Sequence, residues 1–169
     1  IGCLNGIMLD NIHKFVQETD ALYGPFSNVL DLGSYDVNGT VRDDLRFEKY
    51  TGVDIRKGPN VDYVIKKHDF SKFKSSTYDL VVCCETLEHD SKFWLTIEEL
   101  KRLVTLNGLL LITAPSYFFG LHNYPSDYNR FSESAFREVL FEGCIDIHIE
   151  MYEYPDKANG LMGRGKYLK

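Results

Sequence analysis

Apolar positions recur along the chain at two periods, and each predicts a different element. Met8, Ile12, Phe15, Val16 and Thr19 fall at helical spacing, predicting an amphipathic lead-in helix that ends near Tyr23-Gly24-Pro25. Asn28 to Leu32 then reads as a short strand whose apolar members are Val29, Leu30 and Leu32. A polar stretch from Gly39 to Glu48 precedes a second strand, Tyr50 to Asp54; a KGPN turn at Lys57 to Asn60 leads into a third, Val61 to Ile65. Tyr78 to Cys84 is apolar after its first two residues, as expected of a strand covered on both faces. Phe93, Ile97, Leu100 and Val104 mark a helix face, with Asp90 or Ser91 as its cap and Asn107-Gly108 as its end. Leu109 to Thr113 is another fully apolar strand. An irregular segment, Ala114 to Arg130, follows it. Ser132 caps a last helix through Phe141, and Cys144 to Glu150 and Leu161 to Leu168 close the chain as strands.

Strands alternating with helices or loops predict an α/β fold: a Rossmann-like, doubly wound, mostly parallel sheet with helices on both faces. The 169 residues fit a single domain at 27–169 behind a helical lead-in at 1–26. No apolar run approaches the length that spans a bilayer, and the first residues lack the basic flank and apolar stretch of a leader, so a cytoplasmic location and no membrane partner are expected. The net charge of −6 opposes tight non-specific binding to duplex nucleic acid. Cys3, Cys83, Cys84 and Cys144 show no C-x-x-C spacing, so buried free thiols are expected rather than disulfides or a zinc site.

In such sheets ligands bind beyond the carboxyl ends of the strands, which directs attention to the residues placed there. The first strand ends in NVLDLGSYDVNG, Asn28 to Gly39, with Asp31 in the strand and Gly33, Ser34 and Tyr35 after it. Asp54 closes the second strand, 23 positions beyond Asp31, about where a carboxylate takes both hydroxyls of a ribose. That feature fits several nucleotides, but Asp31 narrows the choice. A carboxylate beside a pyrophosphate loop would repel its ligand, whereas a sulfonium and an ammonium would be drawn to it. An adenosyl ligand with a cationic tail is a methyl donor. The missing G-x-G-x-x-G also counts against a nicotinamide-dependent oxidoreductase.

On these residues, together with YTGVDI, HDF, YDLVVCCETLEH and LVTLNGLLLITAP, the chain resembles the class I S-adenosylmethionine-dependent methyltransferases, most closely the type 11 group. The resemblance implies an enzyme in which Asp31 and Gly33 border the methionine end of the donor, with Ser34 and Gly39 among the cofactor-binding residues of the same loop. It likewise implies that Asp54 holds the ribose, Ile55 packs on adenine, Asp69 accepts from the adenine amine beside Phe70, and Cys84 contributes backbone to the methionine portion. Tyr35 and Val37 stand where the family often has further glycines, and Gly39 after Asn38 restores a turn.

Glu85, Glu88 and His89 lie within five residues, and His122 follows the neighbouring strand. Two carboxylates and two imidazoles are a donor set for a divalent metal, and some superfamily members, including plant small-RNA 2′-O-methyltransferases and certain quinone-pathway O-methyltransferases, look similar here and use one. The alternative is that the acids are capping or solvent-side residues and His89 packs beneath the loop. The segment Gly120 to Phe131, with His122, Tyr124, Asp127, Tyr128 and Arg130, is the candidate acceptor lid. His122 or His89 is the candidate base for a hydroxyl acceptor. Trp94 is expected to pack in the core. The reading at this level is methyl transfer from S-adenosylmethionine to an oxygen or nitrogen of a small-molecule or sugar-like acceptor. Its alternatives are a catalytically silent donor-binding partner subunit and an RNA 2′-O-methyltransferase with a Glu/His metal site.

Overall fold

The computed structural model describes residues 5–36, 39–122, 126–153 and 159–168; Cys3, Val37, Asn38, Tyr124 and the side chain of Met8 lie outside the described residues. Strands β1 (Phe26–Leu32), β2 (Phe47–Asp54), β3 (Tyr63–Val64), β4 (Tyr78–Cys84), β5 (Val104–Pro115), β6 (Cys144–Glu153) and β7 (Asn159–Tyr167) form one sheet in the order β3-β2-β1-β4-β5-β7-β6. All neighbours are parallel except β7, which runs antiparallel to both β5 and β6. The order reverses between β1 and β4, so the switch-point crevice opens beyond Leu32 and Cys84.

Successive side chains of a strand point to opposite faces, and both faces are covered. Leu30, Val81 and Ile112 pack with Leu100 and Leu103 of α2 (Phe93–Leu103) and with Phe136 and Phe141, which follow α3 (Glu133–Ala135). On the other face Val29, Leu80 and Leu111 pack with Ile12, Phe15 and Val16 of α1 (Asn5–Tyr23). This double cover explains the unbroken apolar runs. It also fixes Asp31, two residues after Val29, on the α1 side of the sheet. Among the described residues no helix is long and apolar enough to cross a membrane.

Three local readings change. Helix α2 stops at Leu103, and Asn107-Gly108 lies within β5, where Asn107 (φ 62°) accompanies a register shift against β4. A residue pair suited to left-handed backbone here makes a strand irregularity instead of a helix end. The α2 cap position is Lys92, which makes no side-chain cap; Asp90 serves the first turn from outside, accepting from Lys92 N–H and Thr96 Oγ1. Trp94 is half exposed, with its ring edge-on to Phe93, and is not a core residue. Ser132 caps α3 as expected, accepting from Ala135 N–H, and a single π-helical turn (Phe136–Leu140) continues it.

Candidate active site

One cleft lies at the switch point, lined among others by Gly33, Asp54, Ile55, Phe70, Thr86 and His89. Gly33 has φ 83°, and a Cβ there would stand 2.0 Å from Thr86 Oγ1. The β1 and β4 loops therefore meet only because this residue is glycine. Gly33 and Ser34 N–H groups both donate to Val53 O, at 2.8 and 3.2 Å, tying the loop to β2. Ser34 is buried with its Oγ unpartnered by hydrogen bonds.

Asp31 is buried, and Tyr50 Oη donates to its Oδ2 at 2.5 Å. Burial pushes the Asp31 carboxyl up to about 6; the Tyr50 hydrogen bond works against that, and the nearby Asp54 adds to it. Asp54 closes β2, is buried, lines the cleft, and accepts from Arg56 N–H at 2.8 Å. Ile55 beside it is 47% exposed, an apolar surface open to a ligand.

The loop's departure from a glycine-rich pattern is compensated by Asn60 of the KGPN turn. Its Nδ2 donates to Ser34 O, Thr40 Oγ1 and Tyr50 Oη, and its Oδ1 accepts from Arg42. Tyr35 packs on the same turn: a Cβ on Gly58 would stand 1.8 Å from its ring, and the Arg56 guanidinium lies 4.9 Å from the ring centroid. Tyr35 is thus a loop-packing residue outside the cleft lining.

Other expected donor residues fall less uniformly. Phe70 is buried and lines the cleft, but Asp69 is exposed and accepts from Ser71 N–H and Oγ. His68, with φ 63°, turns the chain so that it and Phe70 line the cleft, and the imidazole meets Asp90 at 2.9 Å. Gly39 is exposed and donates to Asp36 Oδ1. The Cys84 carbonyl accepts from Thr86 Oγ1 at 2.8 Å, and burial pushes its thiol well up. Thr86 and His68 carried no sequence signal beyond lying next to the expected site positions, and Asp90 read only as a helix cap.

Beyond β4, Glu88 is completely buried, and neither carboxylate oxygen has a hydrogen-bond donor. Two imidazoles flank it instead: Nε2 of His89 at 3.5 Å and Nε2 of His122 at 3.8 Å from Oε1. The two rings stand edge to face with centroids 5.0 Å apart. His89 Nδ1 donates to Ser126 O at 2.5 Å, which leaves its Nε2 lone pair on the Glu88 side. His122 is raised above the usual histidine range, chiefly by the approach of Glu88 and against burial. One ligand atom each from Glu88, His89 and His122 lies within 4.8 Å of the others. Glu85, expected as a fourth member, stands outside this group. It has φ 45°, and its Oε1 accepts from Thr113 Oγ1 at 2.8 Å and Tyr152 Oη at 3.2 Å. Burial first, and then Glu88, push its carboxyl up to about 8.

Residues 30–112 match a family model described as a methyltransferase domain, of the type 11 group. Among curated proteins none matches the chain significantly in sequence. Among solved structures, N-methyltransferase NodS from Bradyrhizobium japonicum with S-adenosylhomocysteine superposes with a TM-score of 0.74 at 14% identity, covering 95% of this chain and 87% of that one. A phosphoethanolamine N-methyltransferase 2 from Haemonchus contortus gives 0.70 at 14% identity over 94% of this chain, which spans only 53% of that enzyme. An S-adenosylmethionine-dependent methyltransferase from Archaeoglobus fulgidus gives 0.70 at 11% identity, covering 93% of each chain. The chain thus carries a match to a methyltransferase domain over residues 30–112 and shares the fold of these solved methyltransferases.

Proposed function

We propose that the protein methylates an oxygen or nitrogen of a small-molecule or sugar-like acceptor, with S-adenosylmethionine held in the Gly33–Asp54 cleft. The observation that carries this is the pair of buried carboxylates, Asp31 and Asp54, at adjacent strand ends beside a glycine that accepts no Cβ. Bound there, the donor supplies an electrophilic methyl group on a sulfonium. Asp54 accepts from the ribose hydroxyls and Ile55 and Phe70 offer apolar surface to adenine; Asp31, buried next to the lining residues Leu32 and Gly33, adds negative charge behind the cationic tail. Ser34 Oγ, buried and unpartnered, is a polar group available to the same tail. On the acceptor side His89 presents an Nε2 lone pair as base, and His122 shares the position.

A second reading has one specific observation behind it. A buried carboxylate with no hydrogen-bond donor is costly, and Glu88 between two imidazoles is that case. Glu88, His89 and His122 fit a divalent cation, since imidazole and carboxylate donors suit such ions. A cation there would lower the pKa of an acceptor hydroxyl. This favours a hydroxyl acceptor and admits a ribose 2′-hydroxyl of RNA, while the net charge of −6 favours smaller molecules. The test of the main reading is thermal stabilisation by S-adenosylhomocysteine compared with NAD. Stabilisation by the former alone is expected, and a larger shift with NAD overturns it.

A further inference from the structure

Residues 126–131 cross from the end of β5 to the β4 loop and are fastened to both. Toward β5, Phe131 N–H donates to Pro115 O at 3.0 Å and Ser116 Oγ donates to Phe131 O at 2.8 Å. Arg130 grips both Asp127 oxygens, at 2.5 and 2.7 Å, and donates to Phe119 O and Gly120 O. Toward β4, Tyr128 N–H donates to Glu88 O at 2.7 Å, and Asn129 Nδ2 donates to Leu87 O at 3.1 Å and Asp90 O at 2.8 Å. The bond that fastens Tyr128 is a backbone bond; its side chain is turned to another use. It lines the same cleft as Gly33, Asp54 and Ile55, and it is 56% exposed. Lys67, another lining residue, holds its Nζ 5.8 Å from the Tyr128 ring centroid while donating to His89 O at 3.2 Å and standing 3.4 Å from Asp90 Oδ1.

We propose that Tyr128 is a donor-binding residue whose ring stacks on the adenine of S-adenosylmethionine. This rests on the reading of the Gly33–Asp54 cleft as the donor site. Of the described residues lining that cleft, Ile55 and Tyr128 are the large, apolar-bodied side chains left exposed. Ile55 follows the end of β2 and Tyr128 lies along the β4 loop, so the two stand on opposite sides of the β1–β4 switch point. The part of the donor that matches such surfaces is its flat heterocycle. An aromatic side chain offers a purine its face, and truncating it costs about 1–3 kcal/mol of stacking. With the ribose on Asp54, the base lies beside Ile55, the next residue in the chain, and within the space that Tyr128 borders. The Lys67 ammonium near the ring, itself tethered to the β4 loop, adds a cation–π contact that keeps the tyrosine at the cleft. Asp69, the residue expected at the adenine, is exposed and partnered by Ser71, so it offers the base no such surface. The segment expected to cover the acceptor thereby serves the donor as well.

The test uses the full chain and S-adenosylhomocysteine. By calorimetry, Tyr128→Phe, which keeps a ring, is expected to stay within about twofold of wild type, and Tyr128→Ala to bind about 5–150-fold more weakly, the stacking energy written as a ratio. The contact itself is read on the wild-type complex by NMR. Nuclear Overhauser effects are expected between adenine H2 or H8 and the Tyr128 ring protons, whose signals are identified by their loss in Tyr128→Leu. This second measurement needs no folded Ala variant. If wild type binds and Tyr128→Ala binds equally well, the proposal is overturned while the donor cleft stands. Absence of the adenine–Tyr128 effects from the wild-type complex overturns it even where the Ala variant is weakened. If folded wild type binds no S-adenosylhomocysteine, the donor reading falls and takes this inference with it.

Discussion

Tyr50 Oη donates to Asp31 across the β1–β2 pair, and this bond favours the ionised carboxyl against the burial that pushes it up. A cationic ligand tail binds the ionised form. Affinity for S-adenosylhomocysteine, whose ammonium remains, is therefore expected to fall as pH drops through about 6. Tyr50→Phe removes the donor that favours the carboxylate, so Asp31 rises further and the fall moves to higher pH, with a stability loss of about 1–3 kcal/mol. Calorimetry across pH on both proteins reads this; coincident pH profiles would contradict it.

Gly33→Ala places a Cβ against Thr86 at a left-handed backbone position. Destabilisation of about 1–3 kcal/mol from the backbone alone is expected, with further loss as the β4 loop is displaced. Denaturant unfolding and donor binding check it. A variant with wild-type stability and affinity would mean the two loops do not meet as described.

Asn60→Ala removes three donated hydrogen bonds from the β1 loop and its neighbours. The expected outcome is weaker S-adenosylhomocysteine binding by about tenfold, from about 1 kcal/mol of lost loop order per bond only partly recovered by water. The β5 side should be untouched, so Mn2+ binding would stay as in wild type.

Glu85 offers a pH signature of the ligand-free fold. Its carboxyl is raised from 4.5 to about 8, so its contribution to stability is full below the unfolded value and is lost as pH rises through the folded one. Glu85→Gln stays neutral throughout. Its melting temperature relative to wild type is expected to climb between those two pH values, and parallel curves would show that Glu85 does not titrate there.

The sheet was legible because covering on both faces leaves unbroken apolar runs, as in Val81–Cys83 and Leu109–Ile112. Gly33 and Asp54 line the crevice because strand ends in this topology face it, whereas Asp31 lies within β1, outside the lining. Asp69 stands exposed after the left-handed turn at His68, with Ser71 as its partner, and nothing in H-D-F announces that turn. Asn107-Gly108 misled because the same pair suits a helix end and a strand irregularity. Glu85 separates from Glu88 through Tyr152, 67 positions away, a pairing no local pattern reveals. Asn60 likewise looked like a turn residue alone, since its partners Ser34, Thr40 and Tyr50 become neighbours only in the folded sheet.

The cation reading makes its own demand on Glu88. Wild type is expected to bind Mn2+ by calorimetry, and Glu88→Gln to lose that binding, because the carboxylate that His89 and His122 flank is removed. Equal Mn2+ binding by both proteins would place the ion elsewhere.

The central claim is that the Gly33–Asp54 cleft binds the methyl donor. Isothermal titration of S-adenosylhomocysteine into wild type and Asp54→Ala tests it most directly. Saturable binding at one site in the wild type is predicted, weakened by about 10–100-fold in the variant through loss of charge-assisted bonds to the ribose. No binding to folded wild type, or equal binding by both proteins, would contradict it.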